Sequence, residues 1–273
     1  MGQITFGDGV AIGMLVIYIF CLPFSIAVCL RHGLARASGW IFLSIFSILR
    51  IIGCSAQLVT ITHASKTAVT VAEVTQALGL SPLLLASLGL LARLLSSIQS
   101  SSQDSALCFY LIRLIQTPCI IGLILCIVGA TNASSPMDIF QQDTLRAGLI
   151  IFTVVLGALF ILYIGSYIGY HKTGRGERPL VVAVGGSLPL LLIRMVYSLL
   201  ECFGSHAPGS VLVSNPAAEI LELFLANMEE IIITILYIAT GMALYPGRAG
   251  PNSSEGADNR TRKLEYRARR NGL

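Results

Sequence analysis

The chain has 273 residues, of which 55% are hydrophobic and only 12% charged. A soluble domain averages about 25% charged residues, so this composition excludes a water-soluble globular protein and makes lipid the solvent. The net charge of +4 names no partner by itself, and no nucleic-acid partner is expected.

A membrane-spanning helix needs about 20 mostly apolar residues. Seven stretches meet that length, at roughly 10–30, 40–62, 72–93, 107–129, 147–170, 180–203 and 217–245. The expected fold class is therefore all-α: a polytopic membrane protein with seven transmembrane helices over residues 1–245. The first span carries no charge and is no cleaved signal peptide, because Asp8 stands where a basic region is wanted and arginines follow it. Pro23, Ser81-Pro82, Thr117-Pro118 and Pro189 are expected to kink the first, third, fourth and sixth spans. Asn215-Pro216 reads as an N-cap followed by proline, opening the seventh.

Basic residues fix the orientation. Arg31 and Arg36, then Arg93, then Lys172, Arg175 and Arg178 mark the odd-numbered loops. The tail, 246–273, adds seven more, while the opposite side holds Lys66 and Arg146. The N-terminus is thus expected to be lumenal or extracellular, and the tail to be basic, disordered and cytosolic. Of the Asn-x-Ser/Thr sites at Asn132, Asn252 and Asn259, Asn132 alone falls on the lumenal side and is the glycosylation candidate.

All seven cysteines fall in spans and read as small buried hydrophobes. The four histidines lie at loops or span ends, and none pairs with another at metal-ligand spacing. No cofactor and no metal are expected, acids of the seventh span being the alternative Mg²⁺ ligands. Phosphate loops, nucleophile elbows and dinucleotide fingerprints do not occur. Gly165-x-x-x-Gly169 permits close helix packing, within the chain or between copies.

The informative residues are charges inside the spans. Glu219, Glu222, Glu229 and Glu230 fall within one arc of about 100° on a regular helix. Arg50, Arg113 and Arg194 sit at or near the centres of the second, fourth and sixth spans. Glu73 enters the third span, and Glu201 lies two turns beyond Arg194 with Tyr197 between them. A charge at bilayer depth costs about 2.5–3.5 kcal/mol on the insertion scale, so these groups are expected to face each other in a polar funnel. The plain alternative is a set of ion pairs that only lock helices together. Acids outnumber the deep arginines, however, and burial favours the neutral form of an unpaired carboxyl, which is then disposed to act as a general acid.

Arg31-His32-Gly33, Arg36, Gly39-Trp40 and the run Ser47 to Gly53, with Ser81-Pro82-Leu83 through Arg93, resemble a fungal seven-span family first labelled only as a domain of unknown function. That family resembles in turn the membrane-bound terpene cyclases of fungal meroterpenoid pathways of the ascofuranone and macrophorin type. The resemblance implies an enzyme of the endoplasmic reticulum membrane with a lipophilic prenylated substrate and membrane lipid as its partners. Such an enzyme protonates an epoxide or a terminal alkene and guides the cation to a ring. Glu229 and Glu230, with Glu222 as the alternative, are the candidate acids. Arg50, Arg113, Arg194, Glu73, Glu201 and Tyr197 are the candidate electrostatic or substrate-binding residues. Tyr237, Phe224 and Trp40 are candidate cation faces, with Trp40 read more simply as an interface anchor. A seven-span receptor and a proton-coupled transporter are the rival classes. Ala92-Arg93-Leu94 stands where a receptor's Asp-Arg-Tyr-like triplet would be, and no internal repeat favours a transporter.

Overall fold

The computed structural model describes residues 6–32, 38–62, 66–98, 102–132, 142–168, 178–203 and 227–244, and all of its described elements are helical. They are α1 (Phe6–His32), α2 (Ser38–Thr62), α3 (Lys66–Leu78), α4 (Leu80–Ile98), α5 (Ser102–Asn132), α6 (Asp143–Ile168), α7 (Arg178–Phe203) and α8 (Glu229–Ala243). Long apolar runs leave helix as the economical choice, because each backbone polar group must find its partner inside the segment. Asp8 in the first turn of α1 and Arg31 and His32 in its last turn complement the helix dipole.

Six helices are long and apolar enough to cross a bilayer: α1, α2, the combined α3–α4 rod, α5, α6 and α7. This is the architecture of an integral membrane protein. α8 has 15 residues, about 22 Å at 1.5 Å per residue, against a hydrocarbon core of about 30 Å. The upstream part of the expected seventh span, with Asn215-Pro216, lies outside the described residues, as does the 246–273 tail.

Proline does not end a helix in three of the spans where a kink is expected. α1, α5 and α7 run through Pro23, Pro118 and Pro189 as single helices. The third span does break, but at Gly79, three residues before Pro82. Pro82 then falls in the first turn of α4, where a missing N–H leaves no bond unmade. The Gly79 N–H donates to the Gln76 carbonyl (3.3 Å) and the Ser81 hydroxyl to the Leu78 carbonyl (2.9 Å), closing the break.

The α3–α4 rod is the central post. In its most apolar window 89% of residues are buried, against 28–33% for α1, α2, α5 and α6. Every residue from Leu80 to Leu91 is buried, and α2, α5, α6 and α7 pack around α4. Outside this core, Phe20 and Leu30 of α1 and Val154, Ile161 and Ile168 of α6 are exposed, a surface suited to acyl chains. α5 and α6 meet through small residues: a Cβ on Gly148 would stand 2.5 Å from Cys126 Sγ and 2.9 Å from the Gly122 carbonyl. Gly165, by contrast, faces open space; Gly169 lies outside the described residues.

Candidate functional site

α8 begins in a π turn at residues 227–228. Met228 already has helical angles, φ −64° and ψ −40°, and no side chain caps the start. Such wide turns recur at functional sites. Glu229 and Glu230 follow at once, both buried, at 5% and 0% exposure.

Glu230 is held by two arginines from different helices. One carboxylate oxygen pairs with the Arg50 guanidinium of α2, and the other accepts from Arg194 Nε of α7 at 3.1 Å. Arg194 also donates to Ser198 Oγ (3.0 Å) and to the Gln76 carbonyl (3.3 Å). Arg50 donates to the Gln76 side-chain oxygen. Gln76 therefore serves both arginines, one through its side chain and the other through a backbone carbonyl at the end of α3.

The break at Gly79 makes this possible. A Cβ there would lie 3.0 Å from Arg50 Nη2 and 3.0 Å from Glu230 Oε1. Four helical segments thus converge on one buried Arg–Glu–Arg triad near mid-span. A buried ion pair survives only when hydrogen bonds satisfy its remaining polar atoms, and the Gln76 and Ser198 contacts supply part of that requirement. The guanidinium of Arg50 also lies over the Phe46 ring (5.7 Å), and that of Arg194 over the Tyr197 ring (5.7 Å).

Glu229 is the second acid of the site. It lies within electrostatic reach of Arg194 and Glu230, yet its Oε2 is buried without a hydrogen bond. The two adjacent glutamates thus have different environments: one bound on both sides by arginine, the other with an oxygen uncommitted.

The structure brings together Arg50, Arg194, Tyr197, Glu229 and Glu230. It places Arg113 elsewhere, on the exposed side of α5, because the inward stripe of that helix is taken by Ile112, Cys119 and Cys126. Glu219, Glu222 and Phe224 lie outside the described residues, as do the side chains of Glu73 and Glu201. Asn132 is exposed at the end of α5.

Sequence reasoning missed Gln76 as the bridge, Gly79 as the break, and the hydroxyls of Tyr18 and Thr234 beside the triad. The spacing Glu230–Thr234, one helical turn, was an available signal.

Two further polar groupings fix α8. The Tyr237 hydroxyl sits between Ser87 of α4 (2.6 Å) and Ser187 of α7 (2.5 Å). At the other end His32 bonds the Gly241 carbonyl (2.8 Å), Arg31 donates to the Met242 carbonyl (3.4 Å) and Trp40 Nε1 to the Tyr237 carbonyl (3.4 Å). His32 stacks on Trp40 with centroids 4.6 Å apart, and Arg93 lies over the same indole at 5.3 Å. Trp40 is 1% exposed. It is a buried strut under the C-terminus of α8, not the interface anchor expected from sequence.

Among the described residues no cluster of three or more His, Cys, Asp or Glu side chains is arranged to hold a metal. Residues 4–246 match the family described as Domain of unknown function (DUF7702), and the chain belongs to that family. No curated protein and no solved structure matches the chain.

Proposed function

We propose that this member of the DUF7702 family is a membrane-bound terpene cyclase in which Glu229 is the proton donor. Glu229 gives its proton to the epoxide oxygen, or to the terminal alkene, of a prenylated aromatic or polyketide-derived substrate. The C–O bond opens, or the alkene is protonated, and a tertiary cation forms. Neighbouring double bonds close on it, making C–C bonds, and loss of a proton to an acceptor gives an isomer of the substrate. Glu230 is the fixed counter-charge, and Arg50 and Arg194 hold it. Tyr197 offers a π face near the cation path.

The observation that carries this reading is the asymmetry of the two glutamates. Both arginines bind Glu230, so Glu229 is the carboxyl available to give up and regain a proton. The family resemblance set out from the sequence adds the substrate class. The same reading places the protein in the endoplasmic reticulum membrane with seven spans, the N-terminus and Asn132 lumenal and glycosylated at Asn132, and the tail cytosolic.

A microsome assay tests it. The chain is expressed in a host with no related pathway and given a farnesylated phenol or its terminal epoxide. Chromatography should reveal a new isomer of unchanged mass, absent with Glu229→Gln although that variant inserts and melts as the wild type does. Full turnover by Glu229→Gln removes this residue from the chemistry.

One observation favours a second reading, proton-coupled transport. A helix broken at mid-depth beside buried charges is the usual construction of a transporter site, and Gly79 with the triad has that form. Acidification of proteoliposomes driven by a solute gradient, without any new isomer in the microsome assay, decides for transport.

A further inference from the structure

α7 has two faces with different neighbours. Arg194 bonds Glu230 and Ser198 on the side of the triad. Val196, Leu199, Leu200 and Phe203 recur at i, i+3, i+4 and i+7 and form a second stripe, centred about 190° around the helix from Arg194. These four residues line a groove of about 430 Å³. Leu199 packs against the core, while Val196, Leu200 and Phe203 stand half-exposed. The stripe is about 10 Å long at 1.5 Å per residue, about two-thirds of one leaflet of a hydrocarbon core about 30 Å thick.

One end of the groove is apolar and the other is charged. The Arg146 guanidinium, from the start of α6, lies over the Phe203 ring at 5.6 Å. Arg146 Nε is buried without a hydrogen bond. Its Nη1 stands 3.9 Å from the Asp143 carboxylate, too far for a hydrogen bond, and that carboxylate is fully exposed. Two rules count against a cation at this place. Arg146 belongs to the opening of α6, where the helix dipole favours anions. It also lies in a loop region where Lys66 is the other basic residue, so it does not serve the charge bias that orients the chain. An anion at the guanidinium would offset both.

We infer that the α7 groove is a binding site for a zwitterionic glycerophospholipid. One acyl chain lies along the stripe from Phe203 towards Val196. The phosphate accepts charge-assisted hydrogen bonds from Arg146, and the ammonium of the head group meets Asp143. A lipid without a phosphate leaves Arg146 unmet, and one without an ammonium leaves Asp143 unmet. The groove and the triad occupy different faces of α7, so the inference does not rest on the cyclase reading.

The test uses the full chain, purified in detergent and stripped of lipid, with native mass spectrometry counting the lipids that return. The lipids are phosphatidylcholine, phosphatidylglycerol and diacylglycerol with identical acyl chains. The variants are Arg146→Gln, Asp143→Asn and Leu200→Trp, none of which alters a fully buried side chain, and a melting curve for each checks that the fold is kept. One phosphatidylcholine should bind saturably, and diacylglycerol at least about tenfold more weakly. Arg146→Gln should weaken phosphatidylcholine about tenfold, the size of one charge-assisted hydrogen bond lost. Asp143→Asn should weaken phosphatidylcholine and leave phosphatidylglycerol unchanged. Leu200→Trp, which fills the groove, should weaken both phospholipids. Equal binding of diacylglycerol and phosphatidylcholine overturns the site, as does phosphatidylcholine binding that neither Arg146→Gln nor Leu200→Trp alters. A wild-type dimer that Leu200→Trp converts to a monomer overturns it too, because the groove then holds a second copy of the chain.

Discussion

Adjacent residues can have opposite roles when each is presented to different neighbours. Glu229 and Glu230 are consecutive on α8 and both buried, yet only Glu230 meets Arg50 and Arg194. Removing one partner of a buried ionic group leaves the other charges uncompensated, at a cost of about 3–5 kcal/mol. Glu230→Gln should therefore destabilise the protein by about that amount, because two buried guanidinium groups would then face a neutral amide. Glu229→Gln should change stability by about 1 kcal/mol or less, within the ordinary range for a substitution that breaks no network. Denaturation midpoints in detergent, read by loss of the monodisperse peak, distinguish the two. Equal midpoints would mean that the triad does not hold the bundle together. The residues that sequence reasoning placed correctly are those whose presence in a span has no cheaper explanation. Arg50, Arg194 and Glu230 are buried charges on separate helices, and they meet. Arg113 satisfied the same sequence criterion and lies on the exposed side of α5, because depth along a helix says nothing about which way a side chain faces. α5 has a weak apolar stripe, lipid and protein interior being equally apolar.

Helices in this bundle are positioned by the absence of side chains as much as by their presence. Gly79 lets Arg50 of α2 and Glu230 of α8 come against the broken α3–α4 rod, and Gly148 lets α6 lie on the backbone of α5. The Cβ of an alanine at position 148 would stand 2.9 Å from a backbone carbonyl, which cannot rotate away. Gly148→Ala should then cost about 1–3 kcal/mol through overpacking. Gly165→Ala meets nothing within 4 Å and gains helix propensity, so it should be neutral or slightly stabilising. Thermal melting of the two variants checks both expectations, and a destabilised Gly165→Ala would reveal a contact at that face. The sequence made the first six spans legible because their length is imposed by the bilayer, and their described helices begin and end within a few residues of the apolar stretches. The break in the third span was less legible: it falls at Gly79, three residues before Pro82, and what matters about Gly79 is what approaches it. Likewise His32 and Trp40 belong to the run of residues that carried the family resemblance, but their function as a cap for α8 required knowing where α8 ends.

Among the described helices the α3–α4 rod is the buried post and α1, α2, α5 and α6 are the most exposed, and the charge distribution along the sequence has a direction. Basic residues crowd the loops after the first, third and fifth spans and the tail, while the loops between hold Lys66 and Arg146. That bias sets orientation during insertion, and it requires an odd number of crossings for the termini to lie on opposite faces. Six helices among the described residues are long enough to cross, and α8 is the end of what would be the seventh. Arg31, His32 and Trp40 hold the C-terminal carbonyls of α8 at the end of the bundle where α1 finishes and α2 begins. Since α1 ends there, the C-terminus of α8 lies at the end of the bundle where the first loop begins, the side that the proposed orientation makes cytosolic. The topology is therefore testable from its two ends. In sealed microsomes a C-terminal epitope should be digested by added protease, and an N-terminal one protected until detergent is added. A glycan removable from Asn132 would place the loop after α5 on the protected side as well. Protection of both ends would mean an even number of crossings, which the contacts of Arg31, His32 and Trp40 with the C-terminal carbonyls of α8 do not allow, and it would overturn the seven-span topology.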